Sequence, residues 1–181
     1  KEILDQTENT QPAIFLISYS IAEVIKRETN FNINKAKFFA GHSLGEYSAL
    51  ACSGSITFEQ TIKLLQIRGK SMQSAVPKGQ GGMIAVLGSE IEKINEIINF
   101  NKDKFTCYVA NDNSVGQVVI SGNMNDLNNF SEELKNNKIK NIKLPVSAPF
   151  HCKLMNEATK IMKDEIDKVN FQEAKNKLIS N

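Results

Sequence analysis

Between Ala13 and Ile25 the chain is apolar at Ile14, Phe15, Leu16, Ile17, Tyr19, Ile21, Val24 and Ile25, positions that go almost all round a helical period. The pattern predicts a helix buried as a central element. It opens at Thr10-Gln11-Pro12-Ala13, with Pro12 at the first helical position, where a missing N–H leaves nothing unsatisfied, and runs to about Thr29. Lys37 to Ala40 then reads as a strand and the following residues, to about Cys52, as a helix. Gly54 ends that element, and Thr57-Phe58-Glu59-Gln60 opens the next as a capping box. Its apolar stripe is Phe58, Ile62, Leu65, Met72 and Val76, with Gly69 on the same face. Arg68 stands at the stripe's edge, roughly 80° from its centre at a helical turn per 3.6 residues, where it either snorkels at the surface or extends into a cleft.

From Gln80-Gly81-Gly82 onward the period changes. A strand Met83–Leu87, a helix opened by Ser89 and Glu92 as a capping box and ending near Phe100, and a strand Phe105–Ala110 come first. A turn from Asn111 to Gly116, a strand Gln117–Ser121, a helix near Asn125–Asn136 and a strand Ile139–Leu144 complete the set. The order β-α-β-β-α-β is that of a ferredoxin-like split unit, so residues 80–144 are expected to form a small subdomain inserted into an α/β core made of 1–79 and 145–181. After it come a rigid loop, Pro145 to His151, a helix from about Met155 to Val169, and the beginning of an apolar strand at Leu178.

The first strand runs into Gly41-His42-Ser43-Leu44-Gly45, a G-x-S-x-G placed between strand and helix. That is the setting of a nucleophile elbow, in which a tight turn pushes a serine hydroxyl out at the tip beside a helix N-terminus. Ser43 is the candidate nucleophile and the Leu44 N–H a candidate oxyanion donor. A serine needs a base, and the chain has two histidines, His42 and His151. His42 precedes Ser43 directly, so its side chain should leave the backbone in another direction, and His151 is the base by elimination. Cys152, next to His151, reads as an inert thiol.

The longer string Gly-His-Ser-Leu-Gly-Glu-Tyr-Ser-Ala-Leu, residues 41 to 50, resembles the elbow of the malonyl-CoA:acyl carrier protein transacylases and of related acyltransferase domains in fatty acid and polyketide synthases. The resemblance implies an α/β fold with a hydrolase-like parallel-sheet core carrying an insertion of the kind read above. It implies transfer of a malonyl group from malonyl-CoA to the phosphopantetheine thiol of acyl carrier protein through a malonyl-serine, in fatty acid biosynthesis. By the same resemblance Gln11, in Thr-Gln-Pro-Ala, lines the active site, and Arg68, in Arg-Gly-x-x-Met-Gln, fixes the malonyl carboxylate. Asn111 lies near the substrate, His151 follows an Ala-Pro-Phe segment, and Phe150 favours an unbranched acyl group. His42 is counted with these substrate-binding residues. On the residues alone, Gln11 also reads as a helix-end polar group, Asn111 as a turn former and Phe150 as core.

Composition narrows the remaining classes. With 181 residues, 41% of them apolar, and a net charge of +2, the chain suits one well-buried core and implies neither nucleic acid nor an anionic membrane as partner. No apolar run approaches the roughly 20 residues of a membrane span, and there is no signal-peptide pattern. Three scattered cysteines, Cys52, Cys107 and Cys152, suggest a reducing, cytoplasmic setting with no structural metal, and no cofactor is expected. A monomer is expected, although the sequence itself does not fix the oligomeric state. Lys135, Lys138, Lys140 and Lys143 read as a solvated edge strand or as a docking surface for an acidic carrier. Both ends read as cut, so the chain is expected to be the middle of a longer domain. Rival readings are a serine hydrolase or thioesterase of the lipase or patatin type, for which Asp112 is the acid best placed by chain order, and an inactive binding fragment.

Overall fold

The computed structural model describes residues 2–146 and 148–180; Ser147, in the expected rigid loop, lies outside them. In chain order the elements are α1 (Thr7–Glu28), β1 (Phe38–Ala40), α2 (Gly45–Cys52), α3 (Phe58–Ser74), β2 (Gly81–Leu87), α4 (Ile91–Phe100), β3 (Cys107–Ser114), β4 (Gln117–Asn123), α5 (Met124–Asn136), β5 (Lys140–Lys143), α6 (Asn156–Ile166) and β6 (Lys177–Ile179). The fold is mixed α/β with a parallel pair of strands and a separate antiparallel sheet. The chain divides into two compact units, residues 1–70 with 160–181 and residues 71–159, the boundaries falling inside α3 and α6. Among the described residues no helix is long and apolar enough to cross a membrane.

In the first unit β1 pairs with β6 in parallel, Phe38 opposite Lys177 and Ala40 opposite Ile179. Its core gathers Phe15, Ala51, Ile56, Leu64, Leu65 and Met162, and the Phe15 and Phe58 rings stack at 5.4 Å between centroids. The expected capping box opens α3: the Gln60 N–H donates to the Thr57 hydroxyl at 3.2 Å and the Thr57 N–H to the Gln60 side chain at 3.1 Å.

The first helix departs from expectation in two ways. It begins at Thr7, so Pro12 lies inside it rather than at its first position. The N–H groups of Asn9 and Thr10 both bond to the Gln6 carbonyl at 2.9 Å, closing a first turn ahead of the proline, which then removes only the bond that the Glu8 carbonyl would accept. Nor is α1 buried all round. Thr7, Gln11, Phe15 and Ala22 form one buried stripe, while Ile17, Ile21 and Val24 are 61, 55 and 56% exposed. Packing from α2 and α3 covers one side of the helix, and the apolar residues beyond that side stay exposed.

In the second unit the strand order is β3-β4-β2-β5, every neighbour antiparallel. The helices α4 and α5 pack on it around Ile84, Val86, Ile94, Phe105, Val118, Ile120, Leu127, Phe130 and Leu134. Two local expectations fail here. The residues read as a turn, Asn111 to Ser114, belong to β3, with Asn111 opposite Val119 and Ser114 opposite Gln117; ladder irregularities fall between Val109 and Asn111 and between Asp112 and Ser114, and the turn shrinks to Val115-Gly116. Pairing with β4 overrides the turn preference of Asn and Asp, and the bulges absorb the mismatch. The box of Ser89 and Glu92 does not form, because α4 is capped by Glu90 with no side-chain bond. Gly88 still donates to the Gly116 carbonyl at 2.7 Å, so the chain leaves β2 there and Ser89 falls before the cap.

Both α2 and α5 end in a Schellman motif. After α2, Gly54 takes the left-handed position at φ 81, its N–H bonding to Ala51 and that of Ser55 to Leu50. After α5, Lys138 takes the same position at φ 56, its N–H bonding to Lys135 and that of Ile139 to Leu134. A side chain resists that conformation. Lys138→Gly is therefore expected to raise unfolding stability by about 0.5–1 kcal/mol, relief of left-handed strain exceeding the added backbone entropy, as read from the urea midpoint at unchanged slope.

Candidate active site

Strand β1 delivers the chain to Gly41, and α2 starts four residues later. The turn between them is so tight that a Cβ on Gly41 would lie 2.0 Å from the carbonyl carbon and oxygen of Gly45. Gly45 itself is not needed for space, since a Cβ there would meet nothing within 4 Å. Ser43 sits at φ 52, a left-handed conformation in a non-glycine residue. Short backbone bonds lock the turn: Gly45 to His42 at 2.9 Å, Glu46 to Ser43 at 3.1 Å and Tyr47 to Leu44 at 3.1 Å. None of these engages the Leu44 N–H, at the N-cap of α2. His42 is exposed.

Against this hydroxyl stands Arg68. Its Nη2 donates to Ser43 Oγ at 3.1 Å, and its Nη1 donates to Gln11 Oε1. Gln11 is buried inside α1, not at a helix end, and its Nε2 donates to the Thr7 hydroxyl at 2.9 Å. Thr7 therefore fixes which way the Gln11 amide faces. The Arg68 guanidinium also lies over the Tyr47 ring, with Cζ 5.8 Å from the centroid. Burial pushes the guanidinium below its ordinary value, offset in part by Tyr47, and burial raises the Tyr47 phenol.

What brings Arg68 to Gln11 is the residue beside it. A Cβ on Gly69 would lie 2.6 Å from the Glu8 Cα and 2.8 Å from the Thr7 carbonyl, so only glycine lets α3 cross α1 this closely.

Ser43, Leu44, Gln11 and Arg68 thus come together in the first unit; Asn111, Phe150 and His151 belong to the second. There the Phe150 carbonyl accepts from the Ser121 hydroxyl, Pro149 is fully buried, and the Phe150 side chain packs with Met72, Met155 and Ala158. This anchored loop presents His151 exposed and at φ 56. Cys152 donates to the Pro149 carbonyl at 3.1 Å, and burial pushes its thiol up. Asn111 is half-buried in β3, and Asp112 is exposed in the same strand. Among the described residues no three His, Cys, Asp or Glu side chains group where they could hold a metal ion.

Two residues escaped the sequence reading: Tyr47, four after Ser43, and Thr7, four before Gln11. Thr7 and Gln11 stand at the spacing that puts side chains on one helix face, and that was the available signal for Thr7; Ser43 precedes α2, so no such spacing marks Tyr47.

The elbow separates its two glycines experimentally. Gly41→Ala is expected to destabilise the chain by about 1–3 kcal/mol through overpacking, whereas Gly45→Ala is expected to leave it unchanged or up to about 1 kcal/mol more stable through helix propensity; thermal unfolding of both variants reads the difference. Burial raises all three thiols, Cys107 to about 12, so the folded chain should resist alkylation at neutral pH and the unfolded chain should label three times.

The acyl transferase domain family matches residues 1–180. The malonyl CoA-acyl carrier protein transacylase of Bacillus subtilis is 37% identical over 182 residues, covering 99% of this chain and 56% of the relative. That of Haemophilus influenzae is 41% identical over 158 residues, covering 87% of this chain and 50% of the relative. The crystal structure of acyl-carrier-protein-S-malonyltransferase from Bartonella henselae superposes with a TM-score of 0.93 at 39% identity, over 99% of this chain and 58% of that one. A type II PKS acyl-carrier protein in complex with its malonyl-transacylase supplies another match, with a TM-score of 0.92 at 35% identity over 99% of this chain and 58% of that one. The chain spans about half the length of the curated relatives it matches. With the strained serine of its elbow and the arginine held against it, the chain belongs to the acyl transferase domain family.

Proposed function

We propose that this chain transfers a malonyl group from malonyl-CoA to the phosphopantetheine thiol of an acyl carrier protein, through a malonyl ester on Ser43, as a step of fatty acid biosynthesis. The observation that carries the reading is the Arg68 guanidinium on the Ser43 hydroxyl. A cation beside the nucleophile favours an acyl donor with a carboxylate at its far end. The relatives named malonyl CoA-acyl carrier protein transacylase and the acyl-carrier-protein complex support the donor and the acceptor.

In this reading His151 takes the Ser43 proton as the hydroxyl attacks the thioester carbonyl. The tetrahedral oxyanion accepts from the Leu44 N–H. The carbon–sulfur bond breaks, coenzyme A leaves with the proton from His151, and malonyl-Ser43 remains. The carrier thiol then gives its proton to His151 and attacks the ester; Ser43 leaves as it is reprotonated. Arg68 holds the malonyl carboxylate as a two-pronged clamp, fixing the carbonyl relative to Ser43. Gln11 steadies Arg68, Phe150 restricts the acyl chain to an unbranched one, and His42 and Asn111 belong to the substrate-binding surface. The parallel pair supports a hydrolase-like core, and the strand order β3-β4-β2-β5 supports a ferredoxin-like subdomain over 80–144. The reading takes the protein as a cytoplasmic monomer that works without a cofactor.

Intact-mass analysis after mixing with malonyl-CoA or acetyl-CoA tests it. A malonyl adduct is expected on the wild-type chain, none on Ser43→Ala, and loss of the adduct on adding carrier protein. Arg68→Ala should slow malonylation at least about ten-fold, the loss of a charge-assisted pair. Equal labelling by acetyl-CoA would overturn the role of Arg68, and rapid loss of the adduct to water would make the chain a hydrolase.

A further inference from the structure

Two hydrogen bonds of Arg68 hold the edge of its guanidinium. Nη1 points to Gln11 and Nη2 to Ser43, both in the plane of the group, and neither resists tilting of that plane. The guanidinium also lies over the Tyr47 ring, whose centroid is 5.8 Å from Cζ. Tyr47 lies in the first turn of α2, directly after the elbow turn that carries Ser43, so the nucleophile and the ring reach the same arginine from one short segment. The ring is set firmly, because Tyr47 packs on the core cluster built by Phe15, Leu64 and Leu65.

We propose that Tyr47 is a positioning residue, which acts through Arg68 to set the preference for acyl donors that end in a carboxylate. The inference rests on the role proposed for Arg68. When such a donor arrives, the guanidinium must turn part of its fork from Ser43 Oγ to the carboxylate, freeing the hydroxyl to react. A ring face suits that exchange. Attraction between a cation and a π-system supports the guanidinium without a directional bond, so Arg68 can change partners without losing that support. A hydrogen bond to the plane's edge could not do both. The burial that raises the Tyr47 phenol also keeps the ring neutral in this role. The hydroxyl has no part in the argument, which makes the prediction specific to the ring.

The test is the rate of Ser43 acylation against malonyl-CoA and acetyl-CoA concentration, by intact mass, in wild type, Tyr47→Leu, Tyr47→Met, Tyr47→Phe, Arg68→Ala and the Tyr47→Leu/Arg68→Ala double variant. Tyr47→Leu and Tyr47→Met should raise the half-saturating malonyl-CoA concentration about three- to ten-fold, the range expected for a partly desolvated cation on an aromatic face. The maximal rate and the acetyl-CoA labelling should stay within about two-fold, and Tyr47→Phe should behave as wild type. On the Arg68→Ala background, loss of the ring should add nothing. A general structural role would instead lower the maximal rate and affect both donors. Tyr47→Phe failing as badly as Tyr47→Leu, equal losses with both donors, or additive effects in the double variant would each overturn the proposal. Should Arg68→Ala leave the donor preference intact, or the wild-type chain acquire no malonyl group, the reading of the site fails and this inference with it. Should Arg68→Ala abolish the preference while the Tyr47 variants keep it, the reading stands and only Tyr47 is wrong.

Discussion

The crossing of α1 and α3 at Gly69 decides the geometry of the first unit. With the Cβ position of Gly69 only 2.6 Å from the Glu8 Cα, the two helix backbones meet without side chains between them. The residue before a close crossing lies next to it, and here that residue is Arg68. Its guanidinium therefore has to end among the residues of α1's first turns, where Gln11 accepts from it and Thr7 orients Gln11. The capping box at Thr57 and Gln60 sets where α3 begins, the stacked Phe15 and Phe58 rings pin its other contact with α1, and between them the register of Arg68 is fixed. Every polar contact in the site inherits its position from that packing.

Strain is the second constraint. Among the described residues, three that are not glycine lie in the left-handed region: Ser43, Lys138 and His151. Lys138 has a local cause, the Schellman turn that ends α5. The other two do not follow a helix. Each stands at the tip of a held turn, Ser43 by the squeeze of Gly41 against Gly45, His151 by the Ser121 contact to Phe150 and the buried Pro149 just before it. Conformations of this kind persist only where the surroundings over-determine them, and they concentrate at working side chains. That the two fall on the serine and histidine singled out as nucleophile and base is an independent argument for those roles.

Much of this was legible in the sequence wherever a local rule and the tertiary fold agreed. The strand–turn–helix around Ser43, the box at Thr57, and the β-α-β-β-α-β order follow from glycine spacing, capping chemistry and apolar period, and packing reinforces each. The failures share a cause as well. Asn111 to Ser114 have turn propensity, but β4 offered ladder partners and the strand continued. Ser89 had the right chemistry for a cap, but the contact of Gly88 with Gly116 moved the helix start past it. Apolar residues all round α1 could not say how many sides would be covered. Thr7 acts through Gln11 four residues on, but Tyr47 acts through Arg68 on another helix, so no linear motif announces it; the distance between α2 and α3 had to be known first.

In the proposed reading, the placement of Arg68 also bears on why a carboxylated acyl donor would be preferred over a neutral one. A guanidinium taken out of water is unfavourable unless its donors are used, and burial has already lowered its proton affinity. In the resting geometry two donors are spent on Gln11 and on the nucleophile itself. An acyl group without a negative charge gives Arg68 no reason to leave Ser43, and a hydroxyl that accepts from a cation is a poorer nucleophile until released. A carboxylate does supply that reason, because a two-pronged ionic pair is stronger than a bond to a neutral hydroxyl. Binding the right donor and releasing the nucleophile then become one event, so selectivity enters at donor binding.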